Sequence, residues 1–170
     1  VNPNVETEVR WLNTWFDPTQ SKSATNALAD AGADVIGHSM NSAAALKTAN
    51  ERGIWGMGLY SPMREQGGEN FLTSPIWHWE KFYIPELKPL RDGSWESDFD
   101  WLGLQDGMVD IAELGPNVPD SVADTVASER DALANGDRTV WTGSQFEGES
   151  DTFVFSEMQS YVPNVNGEVP

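Results

Sequence analysis

The chain has no cysteine and only two histidines among its 170 residues. The first absence excludes disulfide scaffolds, zinc–thiolate centres and thiol nucleophiles, while leaving the compartment open. Basic residues are scarce as well: 10 Lys and Arg stand against 27 Asp and Glu, a formal charge of -17. Such a surface repels phosphate backbones and anionic lipid, so nucleic acid and the membrane surface are not expected partners. No apolar run approaches the roughly 20 residues a membrane-spanning helix needs. No basic segment leading into an apolar one opens the chain, so Val1 is expected to begin a mature, trimmed or truncated product. With two histidines at separate places and no helical His/Glu pair, no metal or cofactor site is expected.

What is present suffices for one core, since 39% of the residues are hydrophobic. A single domain is the default, with a part of a larger protein as the alternative. The organising stretch is Val9 to Pro18, an apolar run that stops at Trp15-Phe16 and hands over to Asp17-Pro18. It reads as a strand, Glu8 to Asn13, feeding a helix with Asp17 as N-cap and Pro18 at the first helical position. That helix runs to about Ala31, with Ala24, Ala27, Leu28 and Ala31 on one face and Gly32 as its stop. Asp34 to His38 reads as a second strand, Asn41 or Ser42 as a cap, Ala43 to Arg52 as a second helix, and Ile54 to Leu59 as a third strand. A polar loop, Met63 to Asn70, precedes a fourth strand, Phe71 to Ile76. Glu80 to Leu90 is a helix bent or broken by Pro85 and Pro89. Gln105-Asp106-Gly107 predicts a tight turn between two short strands. Pro119 and Asp120 open a last helix ending near Ala134, followed by a strand, Thr139 to Thr142, and an acidic tail. The expected class is α/β, an open, mainly parallel sheet with helices on both faces.

Ligands of such sheets bind beyond the carboxyl ends of the strands. Those ends collect Trp15, Phe16, Asp17, His38, Asn41, Ser42, Tyr60 and Trp77, with His78 and Trp79 beside them. Aromatic faces with a few amides and hydroxyls suit a flat, weakly polar ring, and the lack of Arg or Lys argues against a phosphate. Asp17 has the cap as its competing role, and His38 a simple backbone hydrogen bond. Trp11, Trp55, Trp95, Trp101 and Trp141 are expected in the core. Gly37-His38-Ser39-Met40-Asn41 is a partial match to the G-x-S-x-G nucleophile elbow, which makes a serine hydrolase using Ser39 and His78 the alternative reading.

In order and spacing, Val1-Asn2-Pro3-Asn4-Val5, Asn13-Thr14-Trp15-Phe16-Asp17-Pro18, Ala31-Gly32-Ala33-Asp34-Val35-Ile36, Leu72-Thr73-Ser74, Gly103 to Asp110, Tyr161-Val162 and Asn166-Gly167 carry a resemblance. The chain resembles the second half of the basic membrane protein (BMP) family, the type I periplasmic solute-binding proteins of ABC importers. The resemblance implies a non-enzymatic lobe of a two-lobed clamshell with its first lobe missing. Residues 1–79 would form the second lobe, 80–118 the hinge-crossing helix and strands, and 119–170 the C-terminal helix, strand and tail. The missing lobe or another chain would cover Phe82, Leu87 and Leu90. It further implies permease partners, a periplasmic or lipoprotein location, and a purine nucleoside or related ring stacked on Trp15. The acid and lysine expected for ribose hydroxyls fall at Tyr60 and Trp77, which shifts the expectation toward a nucleobase or another planar solute. A sensor module on the same fold is a further alternative.

Overall fold

The computed structural model describes residues 4–138 and 165–167. The described elements are β1 (Thr7–Val9), α1 (Pro18–Asp30), β2 (Val35–Ile36), α2 (Ala44–Glu51), β3 (Trp55–Gly56), α3 (Arg64–Gly67), a 3-10 turn (Gly68–Asn70), β4 (Pro75–Trp77), α4 (Glu80–Asp92), β5 (Val109–Ile111), α5 (Asp120–Ala134) and β6 (Val165–Gly167). β2 pairs in parallel with β3, Val35 facing Trp55. Hydrogen bonds from Gly58 N–H to Thr73 O and from Leu72 N–H to Gly56 O, both 2.9 Å, carry β3 over to the segment leading into β4. Parallel bridges Gly56–Phe71 and Tyr60–Ile76 mark the same seam. β5 closes this edge antiparallel to β4, and β1 pairs in parallel with β6. Strand pairing among the described residues is therefore mainly parallel, as the alternating strand and helix pattern dictates, with β1 and β6 forming a two-stranded sheet of their own.

Packing explains why strands this short persist. α2 buries Ala45, Leu46, Thr48 and Ala49, and α1 lies against it. Ile36, Ala45 and Ala49 form the core cluster, with Leu28, Ala33 and Ile54 partly buried around it. Fully burying a side chain such as Leu46 or Phe71 is worth about 1.5–3 kcal/mol, and both are essentially inaccessible. Two glycines permit the closeness. A Cβ on Gly56 would lie 2.5 Å from the Leu46 side chain, and one on Gly115 would overlap the Phe71 carbonyl oxygen.

Several expectations need correction. β1 ends at Val9, well before Asn13; among the described residues its pairing is with β6 and stops at Val9–Gly167. Trp11 is consequently 52% exposed, and Trp95 and Trp101 are also exposed; none of the three is a core residue. Trp141 and the strand Thr139 to Thr142 lie outside the described residues. The buried positions of α1 are Ser21 and Thr25, while Ala27 and Ala31 face outward. Thr25 satisfies its hydroxyl by donating to Ser21 O at 2.9 Å, so a polar residue can occupy the packed face. The loop from Met63 to Asn70 contains α3 and the 3-10 turn. α4 runs on through Pro85 and Pro89. Between Trp101 and Leu114 only β5 forms, and Gly107, at φ 71°, makes the turn before it.

Candidate functional site

The first junction is built by its backbone. Asn13 adopts φ 51°, turning the chain out of β1, and Thr14 Oγ1 accepts from Phe16 N–H at 3.3 Å. Asp17 then caps α1: Oδ1 accepts from Gln20 N–H at 2.9 Å and Oδ2 from Gln20 Nε2 at 2.7 Å. These bonds, the backbone one foremost, hold the Asp17 carboxyl below its ordinary range. Both oxygens thus have partners within the helix, which is the capping role. Trp15 and Phe16 are left 70% and 65% exposed, apolar rings presented to solvent at the sheet edge.

At the second junction, Asn41 N–H donates to Trp15 O at 2.9 Å and ties the two loops together. The N-cap of α2 is Ala43, neither Asn41 nor Ser42, and it makes no side-chain cap bond; Ser42 Oγ accepts from Ala44 N–H at 3.1 Å in the turn that leads into the helix. His38 is half-buried. Its Nδ1 accepts from Met40 N–H at 3.4 Å, which assigns the ring proton to Nε2. That Nε2 is buried and, among the described residues, has no hydrogen-bond partner. Burial pushes the His38 pKa down and keeps the ring neutral.

The third and fourth junctions meet through rings. Tyr60 stands at φ 61°, the left-handed region that a bulky residue seldom adopts. Its ring stacks on Trp77, centroids 4.2 Å apart and planes 19° from parallel. Trp77 meets Trp79 edge-on at 5.6 Å, and Trp79 meets Tyr83 of α4 at 5.8 Å. An open cleft of about 270 Å³ lies between the second and third junctions, lined by Met40, Asn41, Ser42, Ala43, Leu59, Tyr60, Ser61 and Met63. None of these side chains carries a charge. The cleft therefore offers amide and hydroxyl hydrogen bonds on an apolar floor and nothing to neutralise an anion.

Contacts thus link Trp15 to Asn41, Asn41 to the cleft wall, and that wall through Tyr60 to Trp77. Asp17 is turned to Gln20, and Trp77 is not among the cleft residues. Met40 and Ser61 lie within the strand-end spans His38 to Ser42 and Tyr60 to Pro62 without being candidates there, and Ala43, Leu59 and Met63 lie outside those spans. Leu59 and Ser61 flank Tyr60 and were findable from it, but Met63 reaches the cleft because its sulfur accepts from Leu59 N–H at 3.3 Å, a contact no spacing announces. At the elbow-like segment, among the described residues, no hydrogen bond joins Ser39 to His78, whose Nδ1 instead faces Glu80 at 3.4 Å. Among the described residues no group of three or more acidic or histidine side chains is placed to hold a metal, and no helix is long and apolar enough to cross a membrane.

Comparison with known proteins gives the site its setting. The family model Bmp, ABC transporter substrate-binding protein PnrA-like, matches residues 1–136. The chain is 49% identical to the putative ABC transporter glucose-binding protein TsgA13 of Haloferax volcanii over 170 residues, 100% of this chain and 44% of that protein. It is 34% identical to a purine-binding protein of Brucella abortus over 143 residues, 84% of this chain and 41% of that protein. The chain therefore spans less than half the length of these relatives. Its fold is shared by a crystal structure of a transcriptional activator of the comK gene from Bacillus halodurans, with TM-score 0.68 and 22% identity over 78% of this chain and 47% of that one. An ABC transporter solute-binding protein from Conexibacter woesei shares it at TM-score 0.60 and 18% identity, over 77% of this chain and 45% of that one.

Proposed function

We propose, from the premise that the chain belongs to the Bmp family of PnrA-like ABC transporter substrate-binding proteins, that it forms one wall of a cleft that binds an uncharged ring solute. The observation that carries the reading is the junction rim, where exposed Trp15 and Phe16 stand beside a charge-free cleft holding Asn41, Ser42, Tyr60 and Ser61. Aromatic faces supply affinity, amides and hydroxyls fix orientation, and no catalytic group is required. A purine nucleobase or nucleoside is the first candidate, supported by the purine-binding relative. A hexose is the second, favoured by the relative named for glucose, since a pyranose also presents flat C–H faces to aromatic rings.

In this reading residues 1–79 form the lobe wall, 80–118 the crossing to the other lobe, and 119–170 the C-terminal return. The solute favours the closed state by touching both lobes, and the closed form is presented to permease subunits outside the cytoplasmic membrane, at a cell surface or in a periplasm. The apolar residues of α4, with Leu87 and Leu90 61% and 55% exposed, are covered by the other lobe. Calorimetric titration of the full polypeptide with adenine, guanosine and D-glucose tests the proposal. Saturable binding of adenine or guanosine supports the first candidate, binding of glucose alone the second, and binding of none overturns the cleft reading.

A further inference from the structure

The Tyr60 and Trp77 rings share a rim, yet their positions in it are not equivalent. Tyr60 lines the cleft, while Trp77 lies against the Tyr60 ring and is not a cleft residue. Two neighbours in β4 thus hold one residue: Ile76 bridges the Tyr60 main chain and Trp77 stacks on its ring. Trp77 is in turn backed by Trp79 and Tyr83, so the ring series runs from the cleft wall to α4. The left-handed backbone at Tyr60, φ 61°, is a conformation a tyrosine keeps only when its surroundings enforce it.

We infer that Trp77 is a positioning residue that acts through Tyr60: it fixes the ring that sets which solutes fit the cleft, and it does not touch the solute itself. The inference rests on the cleft reading given under Proposed function and goes beyond it in assigning the two rings different roles. Because the two rings touch, some non-additivity is expected either way; what marks a ring that acts only through Tyr60 is that removing it costs no further affinity in the Tyr60→Ala background, whereas a ring that also touches the solute still costs affinity there.

The test is a double-mutant cycle on the full polypeptide, measuring by calorimetry the dissociation constants of adenine, guanosine and D-glucose for the parent, Tyr60→Ala, Trp77→Ala, the double variant and Trp77→Phe. The expected result is a loss of about fivefold to tenfold in Tyr60→Ala, the scale of one aromatic stack. A comparable loss is expected in Trp77→Ala, no further loss in the double variant, and recovery in Trp77→Phe, which keeps a ring against Tyr60. Losses that multiply in the double variant overturn the inference, because Trp77 then contacts the solute. Unchanged affinity in Trp77→Ala, or a Trp77→Phe variant as weak as Trp77→Ala, overturns it too. If Trp15→Ala abolishes binding while the Tyr60 and Trp77 variants bind normally, this inference fails and the cleft reading stands. If the parent binds none of the three probes, both fail. Thermal unfolding of each variant separates a misfolded protein from a weakened site, and a Trp77→Ala that unfolds early while Trp77→Phe is native leaves the Phe arm and the Tyr60→Ala arm to decide.

Discussion

The N–H of Asn41 donates to the carbonyl of Trp15 across 2.9 Å, although 26 positions separate the two residues in the chain. The bond joins the loop after β1 to the loop after β2. It fixes the backbone beneath an indole that is itself largely in water, so Trp15 is held in place by its main chain and left open by its side chain.

That arrangement makes Trp15 the residue whose removal separates binding from folding. Trp15→Ala keeps the carbonyl that accepts from Asn41 and deletes only an exposed ring. Solute affinity in the full polypeptide is expected to fall by about 1 kcal/mol or more, with the unfolding midpoint unchanged. Titration and thermal melting of the same sample check both halves.

Close backbone approach at Gly115 leads to the opposite expectation. Its N–H donates to Leu72 O at 2.8 Å, and a Cβ there would overlap the Phe71 carbonyl, which is main chain and has no rotamer to escape into. Gly115→Ala is expected to destabilise by about 3 kcal/mol, read as a lowered denaturant midpoint. Leu46→Ala in α2 is expected to cost about 2–5 kcal/mol by leaving a cavity.

Acid should weaken the fold in two stages. Burial holds the His38 pKa below its ordinary 6.5 in the folded chain. The unfolded chain therefore takes up the proton first as pH falls, so stability is full above about 6.5 and is lost below it until the folded-state pKa is reached. Asp17 and Asp110 are held below their ordinary 3.8, Asp17 by its hydrogen bonds with Gln20 and Asp110 chiefly by the Arg130 side chain, whose Nε and Nη2 lie 2.6 and 2.5 Å from its oxygens. Their contribution is present above that value and disappears below it. Urea midpoints measured against pH should show both limbs, and His38→Gln should remove the first alone.

The outward apolar residues of α4 give a prediction about the isolated 170-residue chain. Tyr83, Ile84, Leu87 and Leu90 are each more than half exposed, a patch that monomeric proteins normally cover. The chain alone should associate and bind an apolar dye, and Leu87→Glu with Leu90→Glu should reduce both. Sedimentation and dye fluorescence check the outcome. A monomeric chain that binds no dye would show that the face needs no cover.

Local features were the most legible in the sequence. Asp17-Pro18 marks the start of α1 because a carboxylate accepts free N–H groups and proline fits the first turn, and both act within three residues. Gly32, Gly53, Gly93 and Gly136 mark helix ends for the same kind of reason, each at positive φ where other residues are strained. Alternation of strand and helix likewise dictated mainly parallel strand pairing, since period and connection length are properties of the chain itself. Burial was harder to read. Trp11, Trp95 and Trp101 are apolar by composition and exposed by circumstance, because whether a ring is covered depends on which distant segment lies over it.

The sequence by itself determined the main helices, the order of strands and helices and the lack of Lys and Arg at the junctions, all of which follow from residue types and their spacing. Only the tertiary structure decided that Tyr60 lines the cleft with Trp77 stacked on its ring, that Met63 reaches the same hollow, and that Asp17 turns to its own helix. Those outcomes rest on hydrogen bonds and ring contacts between segments that the chain keeps apart, and such contacts are settled by the packing of the whole.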